Sequence, residues 1–107
     1  MRKALEQLLV GGRDDALLRF SLGSACLKEG DAGAAAGHFE RAVEHDPGYS
    51  AAWKQLGRAL MAGGQPEQAA RAWTKGIETA EAKGDVQAAK EMQVFLKRAH
   101  KQAQGTR

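Results

Sequence analysis

Apolar residues recur three and four positions apart along almost the whole chain, and the recurrence is broken only at glycines and prolines. That period places apolar side chains on one face of a helix, whereas strands would show alternation. The breaks at Gly11-Gly12, Gly30, Pro47-Gly48, Gly63-Gly64 and Gly84 divide the chain into six segments, predicted as helices near 1–10, 15–28, 32–45, 50–62, 66–82 and 86–101. Ala, Leu, Glu, Gln, Lys and Arg fill these segments, and beta-branched residues are confined to Val10, Val43, Thr74, Ile77, Thr79, Val86, Val94 and Thr106. Propensity and pattern therefore agree on an all-helical chain. Asp31 and Asp85 are placed to cap the helices that follow Gly30 and Gly84, and Pro66 suits a first helical turn, where its missing N–H leaves no bond unmade.

The central four segments repeat at an offset of 34 residues: Leu22-Gly23 becomes Leu56-Gly57, Ala35 becomes Ala69, and Phe39 becomes Trp73. Each glycine admits a close neighbouring helix, each alanine does so on the opposing helix, and the aromatic fills the groove between them. Leu22, Cys26 and Leu27, and in the second unit Leu56, Leu60 and Met61, continue a buried stripe. Trp53-x-x-Leu56-Gly57 followed by Ala69 and Trp73 resembles the tetratricopeptide repeat, and Leu22-Gly23, Ala35, Phe39 and Pro47 hold the same register. The likeness spans roughly residues 16–82. Gly76 stands in place of the usual alanine, and Arg19 where a bulky aromatic is commonest. Through Lys90-Glu91-Met92-Gln93-Val94-Phe95-Leu96 the whole chain also resembles a small bacterial group of such proteins.

The resemblance implies a right-handed antiparallel helix array in one domain, 1–107: a truncated leading helix (1–13), two hairpins (16–49 and 50–83) and a capping helix (85–101), with a frayed tail at 102–107. Leu5 and Leu8 fall where Phe39 and Ala42 fall, so the leading helix reads as the second half of an earlier unit. Glu81-Ala82 replaces Pro47-Gly48, and the last helix of the second unit should run about one turn longer. The capping helix sets Ala88, Ala89, Met92, Phe95, Leu96 and Ala99 against Lys90, Gln93, Lys97 and Lys101. A solenoid must cover its apolar end, and a helix of this kind can close it.

Composition adds little until charge is resolved along the chain. Hydrophobic residues at 43% and charged residues at 27% belong to an ordinary folded domain. The first ten residues include Arg2, Lys3 and Glu6 and offer no long apolar run, so no membrane insertion and a cytoplasmic location are expected. The net charge of +3 is uneven: residues 83–107 carry six Lys and Arg against two acids, and the remainder ten against eleven. Such a field suits a partner with acidic groups, or serves as a solvated face.

Candidate chemistry is sparse. Cys26, the single cysteine, reads as a small buried filler rather than a reactive thiol. His38 and His45 lie seven apart beside Asp46, but His38 precedes the packed Phe39 and His45 can meet the carbonyl end of its helix, which favours structural roles over zinc or acid–base chemistry. Asp14-Asp15 suits a helix start facing solvent, and Gly33 and Gly37, costly inside a helix, serve either close packing or local mobility. No nucleophile, base and orienter form a set. No catalytic, cofactor or metal site is expected, and the few aromatics do not make a stacking platform for nucleic acid.

What the resemblance does offer is a concave groove lined by the first helix of each hairpin. Its lining positions fall on Leu17, Phe20, Ser24 and Leu27, and on Ala51, Lys54, Arg58 and Met61. Leu17, Phe20, Ser24, Lys54, Arg58 and Met61 are the candidate partner-binding residues. Phe20 and Ser24 occupy places where family members that clamp a terminal carboxylate carry Lys and Asn, which disfavours that ligand. A protein-segment adaptor would leave the groove open and Phe20 exposed. A structural subunit of a homo- or hetero-oligomeric assembly would bury the groove or an end face.

Overall fold

The computed structural model describes residues 1–105. Six helices follow one another, α1 (Arg2–Val10), α2 (Ala16–Lys28), α3 (Ala32–His45), α4 (Ser50–Ala62), α5 (Pro66–Ala82) and α6 (Val86–Gly105), and no strand occurs among the described residues. The ends follow local chemistry. Asp15, Asp31 and Asp85 each accept a bond from the backbone N–H three residues on, at 2.8, 3.2 and 3.1 Å. Before three of the helices the chain turns alike: Gly30, Gly64 and Gly84 adopt φ of +83°, +75° and +76°. The next residue's N–H then returns to the carbonyl of Cys26, Leu60 or Ala80, at 2.9, 2.9 and 2.8 Å. Glycine enters the left-handed region without a Cβ penalty, and the returning bond satisfies a carbonyl at the helix end. Helix α5 has 17 residues against 14 in α3. Helix α6 continues to Gly105, so 102–105, expected to fray, are helical; residues 106 and 107 lie outside the described residues.

Each helix packs on its neighbours in sequence, and α2 touches α4 as α4 touches α6. The first helices of the hairpins thus form one layer and α3 and α5 the other. A Cβ built on Gly23 would lie 2.7 Å from the Phe39 ring, and one on Gly57 would overlap the Trp73 indole. The glycines are therefore seats for those rings. Trp73 also donates its indole N–H to the Lys54 carbonyl at 3.0 Å, so the ring is buried without an orphaned donor. Gly76 performs the same service one layer on, where a Cβ would strike the Met92 sulfur and lie 3.0 Å from Trp53 Cβ. Met92 is fully buried, while Phe95 and Leu96 pack at the edge of the core. Phe95 lies against Trp73 with ring centroids 5.3 Å apart.

Helix α6 closes one end of the stack; α1 closes the other poorly. No residue of α1 is buried, and Met1, Leu8 and Val10 are 95%, 45% and 89% exposed. Leu5 and Leu8 lie 34 residues before Phe39 and Ala42, both fully buried, yet neither leucine is buried. Gly33 and Gly37 have nothing within 4 Å of a built Cβ, which removes close packing as their reason.

Candidate functional site: the concave face

The direction of the layer follows from two sets of contacts. Lys54, early in α4, reaches Glu91, early in α6, at 3.4 Å, and Met61, late in α4, shares a depression with Arg98 and Lys101, further along α6. Helices α4 and α6 therefore run the same way. The face read from sequence as two helices wide has a third, contributed by the helix read there only as a lid.

On this face Phe20, Ser24, Leu27 and Arg58 come together, with Ser21, Ala25, Lys28, Gln55 and Met1, around an open depression of about 680 Å3. Met61 lines a neighbouring one of about 510 Å3. Ala51 and Lys54 border a smaller recess of about 240 Å3 with Asp85, Gln87 and Glu91. Leu17, 62% exposed, stands on the first turn of α2 and lines none of the three. Phe20 departs from the exposed aromatic expected of an open groove: it is half-buried, edge-on to Phe39 with centroids 5.6 Å apart and stacked on Tyr49 at 5.0 Å. The loop between α3 and α4 carries Tyr49 over it, so Phe20 presents only part of its ring. Lys54 is engaged by Glu91, whereas among the described residues Arg58 meets only the Gln55 amide oxygen, at 3.4 Å.

Lys28, Gln55, Glu91, Arg98 and Lys101 also line these depressions and were not among the candidates read from sequence. For Glu91, Arg98 and Lys101 the side of α6 opposite its apolar stripe is wide enough to serve both solvent and groove, and composition alone does not divide it; Lys28 and Gln55 each sit one residue past Leu27 and Lys54, the lining positions that the resemblance supplied.

Charged residues away from the groove form a clasp. Asp14 accepts two bonds from Arg19, at 2.8 and 2.9 Å, and one contact from His45 Nε2 at 2.9 Å. Asp14 stays exposed, as expected, and its carboxylate is in addition tied to α2 and α3, where His45 meets it rather than the helix carbonyls. Arg19, and to a lesser degree His45, hold the Asp14 carboxyl well below the usual carboxylate range. Arg19 also donates to His38 Nδ1 at 3.1 Å, which requires that nitrogen to be unprotonated. Burial, and then the Arg19 charge, push the His38 pKa down. This is where the aromatic common at the Arg19 position is replaced: a guanidinium with only 14% side-chain exposure links two helices. Cys26 is fully buried and burial pushes its thiol pKa up, the setting of an inert filler. Among the described residues no three His, Cys, Asp or Glu side chains are grouped to hold a metal ion, and no helix is long and apolar enough to cross a membrane.

Paired helices at a 34-residue period, glycine seats for aromatics and a layer of first helices lined by open depressions define a helical-repeat scaffold. The chain belongs to the tetratricopeptide repeat family, whose models match residues 27–92 and residues 2–50. It is 52% identical to the TPR repeat-containing protein PA0015 of Pseudomonas aeruginosa over 98 residues, 92% of this chain and 93% of the relative. Its fold matches the solution structure of protein BPP2914 from Bordetella parapertussis with a TM-score of 0.80 and 40% identity, covering 95% of this chain and 89% of the other. A tetratricopeptide repeat domain protein from Salinibacter ruber matches with a TM-score of 0.73 and 29% identity, over 80% and 87% of the two chains. The scaffold is one generally used for protein interaction.

Proposed function

We propose that the protein is a non-enzymatic adaptor whose concave face holds a segment of another protein. The observation that carries this reading is the convergence of Phe20, Ser24, Leu27 and Arg58, from two neighbouring helices, on one depression of about 680 Å3. An apolar floor with a few polar groups at its rim is the usual make-up of a recognition site. The backbone beneath it is held by buried contacts, including Leu22, Cys26 and Leu56, so the site is formed before the partner arrives.

A random peptide library displayed on phage and selected against the full chain tests it. Selected peptides, titrated into isotopically labelled protein, should shift the backbone amides of Phe20, Ser24, Leu27 and Arg58. Phe20→Ala should weaken them by about tenfold or more, the loss of one anchoring aromatic. Peptides that move only residues of the opposite layer, such as Glu40 and Arg71, would overturn the assignment. A second reading, a structural subunit in a larger assembly, has one observation in its favour, the bare apolar end at Met1, Leu8 and Val10. It predicts a mass that rises with concentration in sedimentation equilibrium and falls back to the single chain in Leu8→Lys.

A further inference from the structure

We infer that the segment held on the concave face is acidic, with its carboxylates at the end of the groove where α2 and α4 finish and an apolar side chain on the floor beside them. The inference rests on the adaptor reading above and names the partner's chemistry. Two depressions lie toward that end, one taking Gln55 and Arg58 from α4 and the other Met61, a turn further on, and their cations are Lys28 and Arg58 in one and Arg98 and Lys101 in the other. Among the described residues that line them there is no Asp or Glu.

Nor is the charge answered from within. Arg2, Arg13, Arg19, Arg41, Lys54 and Lys75 pair with carboxylates; among the described residues none of the four groove cations does, and they differ from the other unpaired cations, Lys3, Arg71, Lys83, Lys90 and Lys97, in lining these two depressions. Carboxylates of the same layer are already held: Glu91 by Lys54 at 3.4 Å, and Glu29 by Arg2 at 3.1 Å.

A simpler account would have the four cations offset the carbonyl ends of their helices. It covers Lys28, in the last turn of α2. It does not cover Arg58, a full turn before the end of α4, or Arg98, seven residues before the end of α6. What remains is a cationic rim around an apolar floor of Leu27, Met61 and part of Phe20. A neutral apolar segment would leave that rim unpaired, and a basic one would be repelled.

The test uses the full chain and two labelled peptides: one in which glutamates flank a phenylalanine and a leucine, and its counterpart with glutamine at every glutamate. Fluorescence anisotropy at low salt should show the acidic peptide binding about tenfold more tightly, with the difference shrinking at high salt. Arg58→Ala, and the pair Arg98→Ala with Lys101→Ala, should erase the preference, while Lys83→Ala, outside both depressions, should preserve it. Equal affinity for the two peptides, or an equal loss in Lys83→Ala, would overturn the inference. Amide shifts separate the two levels of the argument: both peptides moving Phe20 and Ser24 without preference would leave the adaptor reading standing and sink the acidic partner. Selected library peptides that also leave those amides unmoved would sink both.

Discussion

At the scale of the residue, glycines with identical propensity have opposite roles. Gly57 faces the Trp73 indole, so Gly57→Ala should destabilise the chain by about 1–3 kcal/mol, the usual penalty for overpacking a core. Gly33 and Gly37 look into open space, and Gly33→Ala or Gly37→Ala should each stabilise it by about 1 kcal/mol, the helix-propensity difference. Urea unfolding midpoints of the three variants check both signs. Protonation gives a second prediction. His38 has a folded pKa below its ordinary 6.5 because burial opposes its charge, so on acidification the unfolded chain takes up that proton first. Stability should therefore begin to fall below about pH 6.5. Asp14 is held below its ordinary 3.8, chiefly by Arg19, and its contribution, present above that value, should be lost as the pH drops further. Thermal melts from pH 8 to pH 3 should show both declines, with His38→Gln removing the first and Asp14→Asn reducing the second. The glycine seats were legible in the sequence because the 34-residue offset pairs each with an aromatic. The Asp14 clasp was not, because it joins a loop carboxylate to residues of two helices, Arg19 and His45, and no local pattern aligns them.

At the scale of the element, α6 owes its position to a knob and a socket. Met92 is fully buried over Gly76, whereas Phe95 and Leu96, members of the same apolar stripe, lie at the edge of the contact. Met92→Ala should cost about 2–5 kcal/mol, as cavity-forming truncations do. In that background Gly76→Ala loses its collision with the sulfur, although Trp53 Cβ stays 3.0 Å away. The double variant should then be more stable than the sum of the single losses, a coupling that a double-mutant cycle in urea reads directly. Helix boundaries were recovered well because caps and left-handed glycines act locally. The extra turn at the end of α6 was missed because a polar, weakly amphipathic end carries no stop signal before Gly105.

For the molecule as a whole, the two ends are unlike, one sealed by Met92 and its neighbours and the other left with exposed leucine and valine. Removing residues 86–107 should lower solubility and the unfolding midpoint together, whereas removing residues 1–13, which bury no side chain in α1, should shift the midpoint by far less. The stacking order could be read from the repeat period, but the width of the concave face could not, since that required knowing on which side of α4 the last helix lies. Both tryptophans, Trp53 and Trp73, belong to the second hairpin, and the single cysteine, Cys26, is fully buried in the first. In a stack whose units touch only their neighbours, cooperativity between halves is a measurable quantity rather than a given. The chain carries a native reporter on each side of that question: indole emission follows one half and thiol accessibility the other, so any lag between the two signals during denaturation would reveal the halves melting in turn, without a label being introduced.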